Sequence, residues 1–584
     1  MAKTNPRQNE EGAMTGSRDA VPEKIRIEGD RKVAIETGRN RLMVAGALFS
    51  AAFFVIGIRV VDVSIFSADA EPRYTRSITK TEKYTGRADV VDRNGVLMAT
   101  SLNTASLYAN PRMVLDPEQS ALRLAHALPD IDIKDVERKL RSDRSFVWLK
   151  RHLTPGQQYA VNRLGIPALN FQREARRIYP LGSLASHLIG FTDVDNKGLA
   201  GVERYFDKEL RSRQQNLTLS VDVRVQHVLE HELSIAMKKF RAIGAAGLVM
   251  DVDTGEIVGM ASLPTFDPNR PGTIDKEQRF NRTTQGVYEM GSTLKIFTTA
   301  MAFDAGTATM RSGYDATKPI RVARFVIRDF HAKKRWLSVP EIFMYSSNIG
   351  TAKMALDVGI NSHRKFLNQL GMLKPVRIEL SETGAPLSPN RWREINSMTI
   401  SYGYGLAVSP LHLVTGVSAI VNGGIYRSPT LIRRDEGETV IGRRVISEET
   451  SRNMRRLMRL VVESGTGRNA AATGYLVGGK TGTAERVSSR GYKEKALISS
   501  FVAAFPMHKP KYVVLAMLEE AKGTKETLGY ATGGWVAAPA VGAIVRRIAP
   551  VLGLRPVKSE DIARRALSLK ITDKSVRGRR VAAH

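Results

Sequence analysis

The chain contains no cysteine. Disulfides, thiolate metal sites and a thiol nucleophile are therefore excluded, and a chain without thiols can fold in an oxidising space without mispairing. Acidic residues are scarce beside basic ones: 58 Asp and Glu stand against 88 Lys and Arg, a formal net charge of +30. Such an excess draws a protein to anionic surfaces. Helix-turn-helix, zinc-finger and RNP-type signatures are missing and the basic residues are spread along the chain, so an anionic envelope surface is indicated and nucleic acid is not. No second histidine stands at metal-ligand spacing from His187, which marks that residue as a packed or capping side chain. Neither a metal nor a cofactor is implied. The 584 residues, 42% hydrophobic and 25% charged, are ordinary globular composition for two to four domains.

Charge is absent from one stretch, the seventeen residues 42–58, LMVAGALFSAAFFVIGI. That is the short end of the length needed to cross a bilayer. Arg39 and Arg41 precede it, so the positive-inside rule puts residues 1–41, a polar tail expected to be disordered, in the cytoplasm. We expect an uncleaved anchor over 42–61 and an exported body. Ala68-Asp69-Ala70 resembles a cleavage site, but signal peptides do not carry some forty residues before the apolar core.

Residues 62–235 read as a structural or partner-binding pedestal. Residues 87–99 predict strand, turn and strand about Asn94-Gly95, residues 117–151 have helical spacing, and no plausible catalytic set occurs. Residues 236–553 form the other large domain. Its apolar runs 245–250 and 256–261 predict a hairpin through Asp253-Thr254-Gly255. Helical segments reach about residue 370, a mixed region follows, and strands are expected near 475–488 and 498–518. Sheet, helical insertion and sheet again predict an α+β fold, with one antiparallel sheet closed by distant pieces of chain. Residues 554–584 are a basic tail, with nine Lys or Arg against three Asp or Glu.

Within 236–553 three short motifs recur in order. Ser292-Thr293-Leu294-Lys295 opens an apolar run. On a helix the two polar side chains share a face, and an amine kept neutral can take the proton a serine hydroxyl must lose as it attacks. Ser346-Ser347-Asn348 begins 54 residues beyond Ser292, and Lys480-Thr481-Gly482-Thr483 begins 134 residues beyond Ser346. Each motif alone is common; the set, in this order after a hairpin, belongs to serine acyl-transfer enzymes that react with β-lactams.

From about residue 40 to 550 the chain resembles the class B penicillin-binding proteins, the D,D-transpeptidases of peptidoglycan synthesis, and within them the septal, cell-division type. Residues 87–99 and 176–203 are similar to the family's non-catalytic, dimerisation-type motifs. Met290 stands where the family often has proline, a departure in the turn before Ser292. The resemblance implies Ser292 as nucleophile toward a D-Ala-D-Ala stem peptide, Lys295 as its base, Ser346 as proton relay, Asn348 as a positioning group, and Lys480 as the charge for the terminal carboxylate. Thr481 and Thr483 would offer hydroxyls to that carboxylate, the N–H groups of Ser292 and Thr483 an oxyanion hole, and Gly482 room for the substrate backbone. It implies an amine acceptor, acylation by β-lactams, transpeptidase and carboxypeptidase turnover, a single pass through the inner membrane with the catalytic domain in the periplasm, and a membrane-embedded glycosyltransferase and division proteins as partners. An elongation-type transpeptidase of the same family and a non-enzymatic division scaffold are the alternatives. One tension is internal to the pattern: strand period places Lys480 and Thr481 on opposite faces, so both can serve one cleft only at an edge or a twist.

Overall fold

The computed structural model describes residues 30–61, 86–212, 215–322, 325–488, 491–557 and 567–569. The expected tail 1–41 lies outside them up to residue 29, as do Ala68–Ala70 and most of the basic tail 554–584. The chain divides into two units, Met1–Tyr84 and Thr85–His584.

The described residues of the first unit form one helix, Asp30–Val61. Its segment Ile35–Val61 has 27 residues and includes an 18-residue stretch with a mean hydropathy of 2.2 and no burial. At about 1.5 Å per residue it is roughly 40 Å long, more than the ~30 Å hydrocarbon core of a bilayer. It is the one helix among the described residues long and apolar enough to cross a membrane.

The second unit begins with the pedestal. Val90–Val91 and Leu97–Ala109 pair antiparallel about the Asn94-Gly95 turn, where Gly95 has φ +84° and Asp92 Oδ1 accepts from the N–H groups of Asn94 and Val96 at 2.8 Å each. Val147–Leu153 and Leu169–Ile178 flank the long strand, and Leu217–Thr218 runs parallel to Val90–Val91. Residues 117–151 are not wholly helical. Helices Pro117–Ala127 and Ile133–Leu140 give way to the strand Val147–Leu153, which buries Val147, Leu149 and Leu153; pairing with Leu97–Ala109 overrides the local helical spacing.

The two resembling pieces of the pedestal meet at a buried charge cluster. Glu203 is fully buried between Arg87 Nη2, 2.8 Å from its Oε2, and Arg177 Nε, 2.6 Å from its Oε1. Arg87 also reaches Asp207 at 2.5 Å. Removing one partner leaves buried charge uncompensated, which costs about 3–5 kcal/mol. Glu203→Ala is therefore expected to lower stability by that order in urea unfolding of the full-length protein, whereas Asp135→Ala, which breaks exposed pairs with Arg138 and Lys139, should cost under about 1 kcal/mol. Equal midpoints for the two variants would sink the claim.

The rest of the second unit is built on a five-stranded antiparallel sheet in the order Gly478–Ser488, Gly491–Phe505, Tyr512–Glu519, Gly244–Asp251, Ile257–Leu263. Two strands precede the helical region and three follow it, as expected for one sheet closed by distant chain. Alternate residues serve two cores. Val249, Val258, Ala503 and Val514 pack under helices Val223–Lys239 and Ala537–Val551; Leu248, Met260, Val502 and Leu515 face the helix Pro410–Val421. Both faces are covered, so Gly244–Asp251 and Tyr512–Glu519 are buried at every position and read as apolar runs without alternation. Pro410–Val421, inside the stretch that the sequence left mixed, is buried at all of its residues and has no polar stripe to reveal its period.

Candidate active site

Ser292 lies in a 3-10 turn, Gly291–Leu294, which runs into the helix Lys295–Asp304. In a 3-10 turn residues three apart eclipse one another, and Lys295 Nζ lies 3.1 Å from Ser292 Oγ. Gly291 has φ +51°, and a Cβ there would lie 2.5 Å from Thr483 O and 3.1 Å from Thr483 N. Only glycine lets the backbone before the serine approach the Lys480–Thr483 strand so closely, which brings Ser292 and Thr483 to one rim.

The second motif is a turn between two helices, Val339–Tyr345 and Asn348–Val358. Ser346 takes the left-handed conformation, φ +61°, an arrangement that costs a non-glycine residue about 1 kcal/mol or more and persists only when its surroundings hold it. Lys295 Nζ is 2.6 Å from Ser346 O, 3.1 Å from Ser346 Oγ and 2.7 Å from Asn348 Oδ1. Lys480 Nζ donates to the same Ser346 Oγ at 2.9 Å. The structure thus brings Ser292, Lys295, Ser346, Asn348 and Lys480 into one hydrogen-bonded cluster.

The third motif lies on the edge strand of the sheet, paired on one side only, with Gly491–Phe505. Lys480 points to Ser346. Thr481, on the other face, is 7% exposed and its hydroxyl lies 2.8 Å from Thr466 Oγ1. Half-buried Thr483 accepts from Gly533 N–H at 3.1 Å. A Cβ at Gly482 would come within 2.3 Å of Ser500 Oγ and 2.6 Å of Met290 O. The protein's own packing therefore requires glycine there, a reason the sequence did not reveal.

Both lysines are 0% exposed, and burial disfavours an ammonium. Burial is the main force holding Lys295 well below the usual lysine range; the nearby Lys480 adds to it, and Asp329 opposes it. Burial alone brings Lys480 down to about 7. A neutral amine has two N–H donors and one lone pair. Ser346 O and Asn348 Oδ1 can only accept, and at 2.6 and 2.7 Å they take both N–H groups of Lys295. The lone pair is left for a hydroxyl, and Ser292 Oγ and Ser346 Oγ both lie 3.1 Å away. A neutral amine so placed can take a proton from a serine.

Three participants were given no role by the sequence: Ser347, Asp329 and Thr466. Ser347 Oγ donates to Asp329 Oδ2 at 2.7 Å and accepts from Gly350 N–H at 3.0 Å. Asp329 Oδ1 also accepts from Ile349 N–H at 2.9 Å. Thr466 follows the helix Glu448–Ser464 and reaches Thr481 from there. The S/T-x-x helix-start pattern could have marked Ser347; nothing local marks Asp329 or Thr466. His187 is packed, as expected: its ring meets Phe266 edge-on with centroids 5.0 Å apart, and Nε2 lies 2.7 Å from Gln278 O.

Residues 245–546 match the penicillin binding protein transpeptidase domain, and residues 82–234 match the penicillin-binding protein dimerisation domain. The chain belongs to the class B penicillin-binding proteins. Among relatives of this penicillin-binding protein, a probable peptidoglycan D,D-transpeptidase FtsI of Caulobacter vibrioides is 44% identical over 483 residues, covering 80% of this chain and 82% of the relative. The peptidoglycan D,D-transpeptidase FtsI of Escherichia coli is 29% identical over 551 residues, covering 88% and 92%. A crystal structure of penicillin binding protein 3 from Mycobacterium tuberculosis, complexed with aztreonam, shares the fold, with a TM-score of 0.65 at 22% identity over 84% of this chain and 99% of that one.

Proposed function

We propose that this penicillin-binding protein is a D,D-transpeptidase that cross-links peptidoglycan stem peptides in the septal wall, with Ser292 as nucleophile. The observation that carries the reading is the convergence of Lys295 Nζ, Ser292 Oγ, Ser346 Oγ, Asn348 Oδ1 and Lys480 Nζ. The relatives named as peptidoglycan D,D-transpeptidases supply the substrate class and support the septal role.

Ser292 Oγ attacks the carbonyl of the penultimate D-Ala. The new C–O bond forms as the hydroxyl proton passes to Lys295 Nζ. The N–H groups of Ser292 and Thr483 face the developing oxyanion; such a donor is worth about 3–4 kcal/mol in other acyl-transfer enzymes. The tetrahedral adduct collapses, the C–N bond breaks, and the departing D-Ala nitrogen takes a proton relayed through Ser346, which touches both lysines. Lys480 receives the terminal carboxylate, and Thr481 and Thr483 lend hydroxyls after releasing Thr466 and the Gly533 N–H. An amine of a second stem peptide then attacks the ester, gives its proton to Lys295, and Ser292 leaves with a proton restored. Water in place of the amine gives carboxypeptidase turnover on the same acyl-enzyme. β-Lactams acylate Ser292 by the first half of this route.

Arg39 and Arg41 before the apolar segment support a single pass through the inner membrane with the catalytic unit in the periplasm, where a membrane-embedded glycosyltransferase would supply nascent strands and division proteins would place the enzyme. The test of location is a fluorescent fusion imaged in dividing cells. Septal enrichment is expected; a lateral-wall signal without it would sink the division reading. The test of chemistry is sacculus analysis after replacement by Ser292→Ala protein: fewer peptide cross-links are expected, and unchanged cross-linking with normal division would leave a scaffold.

A further inference from the structure

The catalytic lysine is held by a turn that is itself held from outside the three motifs. Ser346 supplies Lys295 with two contacts and Asn348 a third, yet Ser346 has φ +61° and its turn has no intrinsic reason to stay closed. Two consecutive residues after the strand Phe325–Ile327 grip it. Arg328 O accepts from Asn348 Nδ2 at 2.9 Å, which orients the amide so that Oδ1 faces Lys295. The Asp329 carboxylate accepts from Ser347 Oγ at 2.7 Å and from Ile349 N–H at 2.9 Å. It thus holds the residue after Ser346 and the residue after Asn348 with one rigid group, and its charge stabilises the unpaired N–H groups at the start of the helix Asn348–Val358.

We propose that Asp329 is a positioning residue for acylation, fixing the Ser346–Asn348 turn and, through it, the amine of Lys295. The inference rests on reading Lys295 as the base. Two charged groups act on that amine from the elements around it: Lys480 from the edge strand, which lowers its proton affinity, and Asp329 from the segment after Phe325–Ile327, which raises it. Asp329 therefore has two separable effects. Its hydrogen bonds set geometry and so the maximal rate. Its charge raises the pH at which Lys295 becomes neutral, against burial and Lys480, and so shifts the acid limb of the pH profile.

The experiment measures the second-order rate constant for acylation of the full-length protein by a fluorescent penicillin across pH, for wild type, Asp329→Asn and Asp329→Ala. Asp329→Asn keeps one acceptor oxygen for Ile349 N–H, turns an NH2 donor to Ser347 Oγ, and loses the charge. Its acid limb is expected to move about half a pH unit or more to lower pH, with a several-fold loss of plateau rate. Asp329→Ala is expected to lose about 10-fold or more at the plateau. An Asn variant with an unmoved acid limb and a plateau within about twofold of wild type overturns the proposal; this holds even if the Ala variant fails to fold, because a residue that only capped a helix would change stability and leave the acid limb in place. Failure of the underlying reading shows separately: Lys295→Met would then acylate at the wild-type rate whatever the Asp329 variants do.

Discussion

Ser292→Ala protein, incubated with a fluorescent penicillin and then denatured, is expected to carry no label, while wild type carries one label per chain. The expected loss is complete because, in the proposed mechanism, the covalent bond is made to Ser292 Oγ and no neighbouring group replaces it. Lys295 is spoken for by Ser346 O and Asn348 Oδ1 at 2.6 and 2.7 Å. Ser346 Oγ lies between two amines, 3.1 and 2.9 Å away, and is held in hydrogen bonds to both. The fold should survive the change. Lys295 keeps its two strongest acceptors, and a lost hydrogen bond of this kind is worth only about 1 kcal/mol. Thermal unfolding of the variant near the wild-type midpoint would show that the lost label reports chemistry. Labelling equal to wild type would end the assignment.

Lys295→Met should lower the acylation rate by about 10²–10⁴-fold, the range in which a positioned general base contributes. Methionine fills the buried site with a side chain of similar length and no base. Lys295→Arg separates two explanations. A guanidinium keeps the positive charge but does not release its proton, so a role based on charge would survive in the Arg variant and a role as base would not. We expect both variants to fail alike. In wild type the direction of the pH dependence follows from the lowered proton affinity of Lys295. The amine is neutral above its lowered pKa and acylation is lost as pH falls through it. Lys480, brought down to about 7, is charged below that value, so binding of the substrate carboxylate by the free enzyme weakens as pH rises past it. The profile of kcat/KM for a carboxylate substrate is expected to be a bell whose acid limb belongs to Lys295 and whose alkaline limb belongs to Lys480. A rate that stays flat down to the pH where the protein unfolds would remove Lys295 as the base.

The sequence alone determined a good deal of this protein. The apolar run 42–58 falls within the helix Asp30–Val61, in its exposed part Ile35–Val61, because length without charge is a local property. The Asn94-Gly95 and Asp253-Thr254-Gly255 turns were legible because positive φ at glycine is chosen residue by residue. The three motifs were legible because reactive residues of fixed type and order survive in a linear string, and the resemblance they carry gave the family. Tertiary structure decided the rest. Val147–Leu153 is a strand because its partner is Leu97–Ala109, and partnership across a sheet is not written in helical or strand period. Whether Lys480 and Thr481 could serve one cleft depended on which strand lay at the sheet edge. Gly482 is required by Ser500 and Met290, far away in sequence and adjacent only when folded. The Ser292–Lys295 motif named a nucleophile and its base; it could not say that the proton affinity of the lysine is lowered. That follows from burial and from the second lysine brought to Ser346 by the edge strand, while Ser346 O and Asn348 Oδ1 orient the amine. Proton affinity is set by surroundings, and surroundings exist only once the chain has folded.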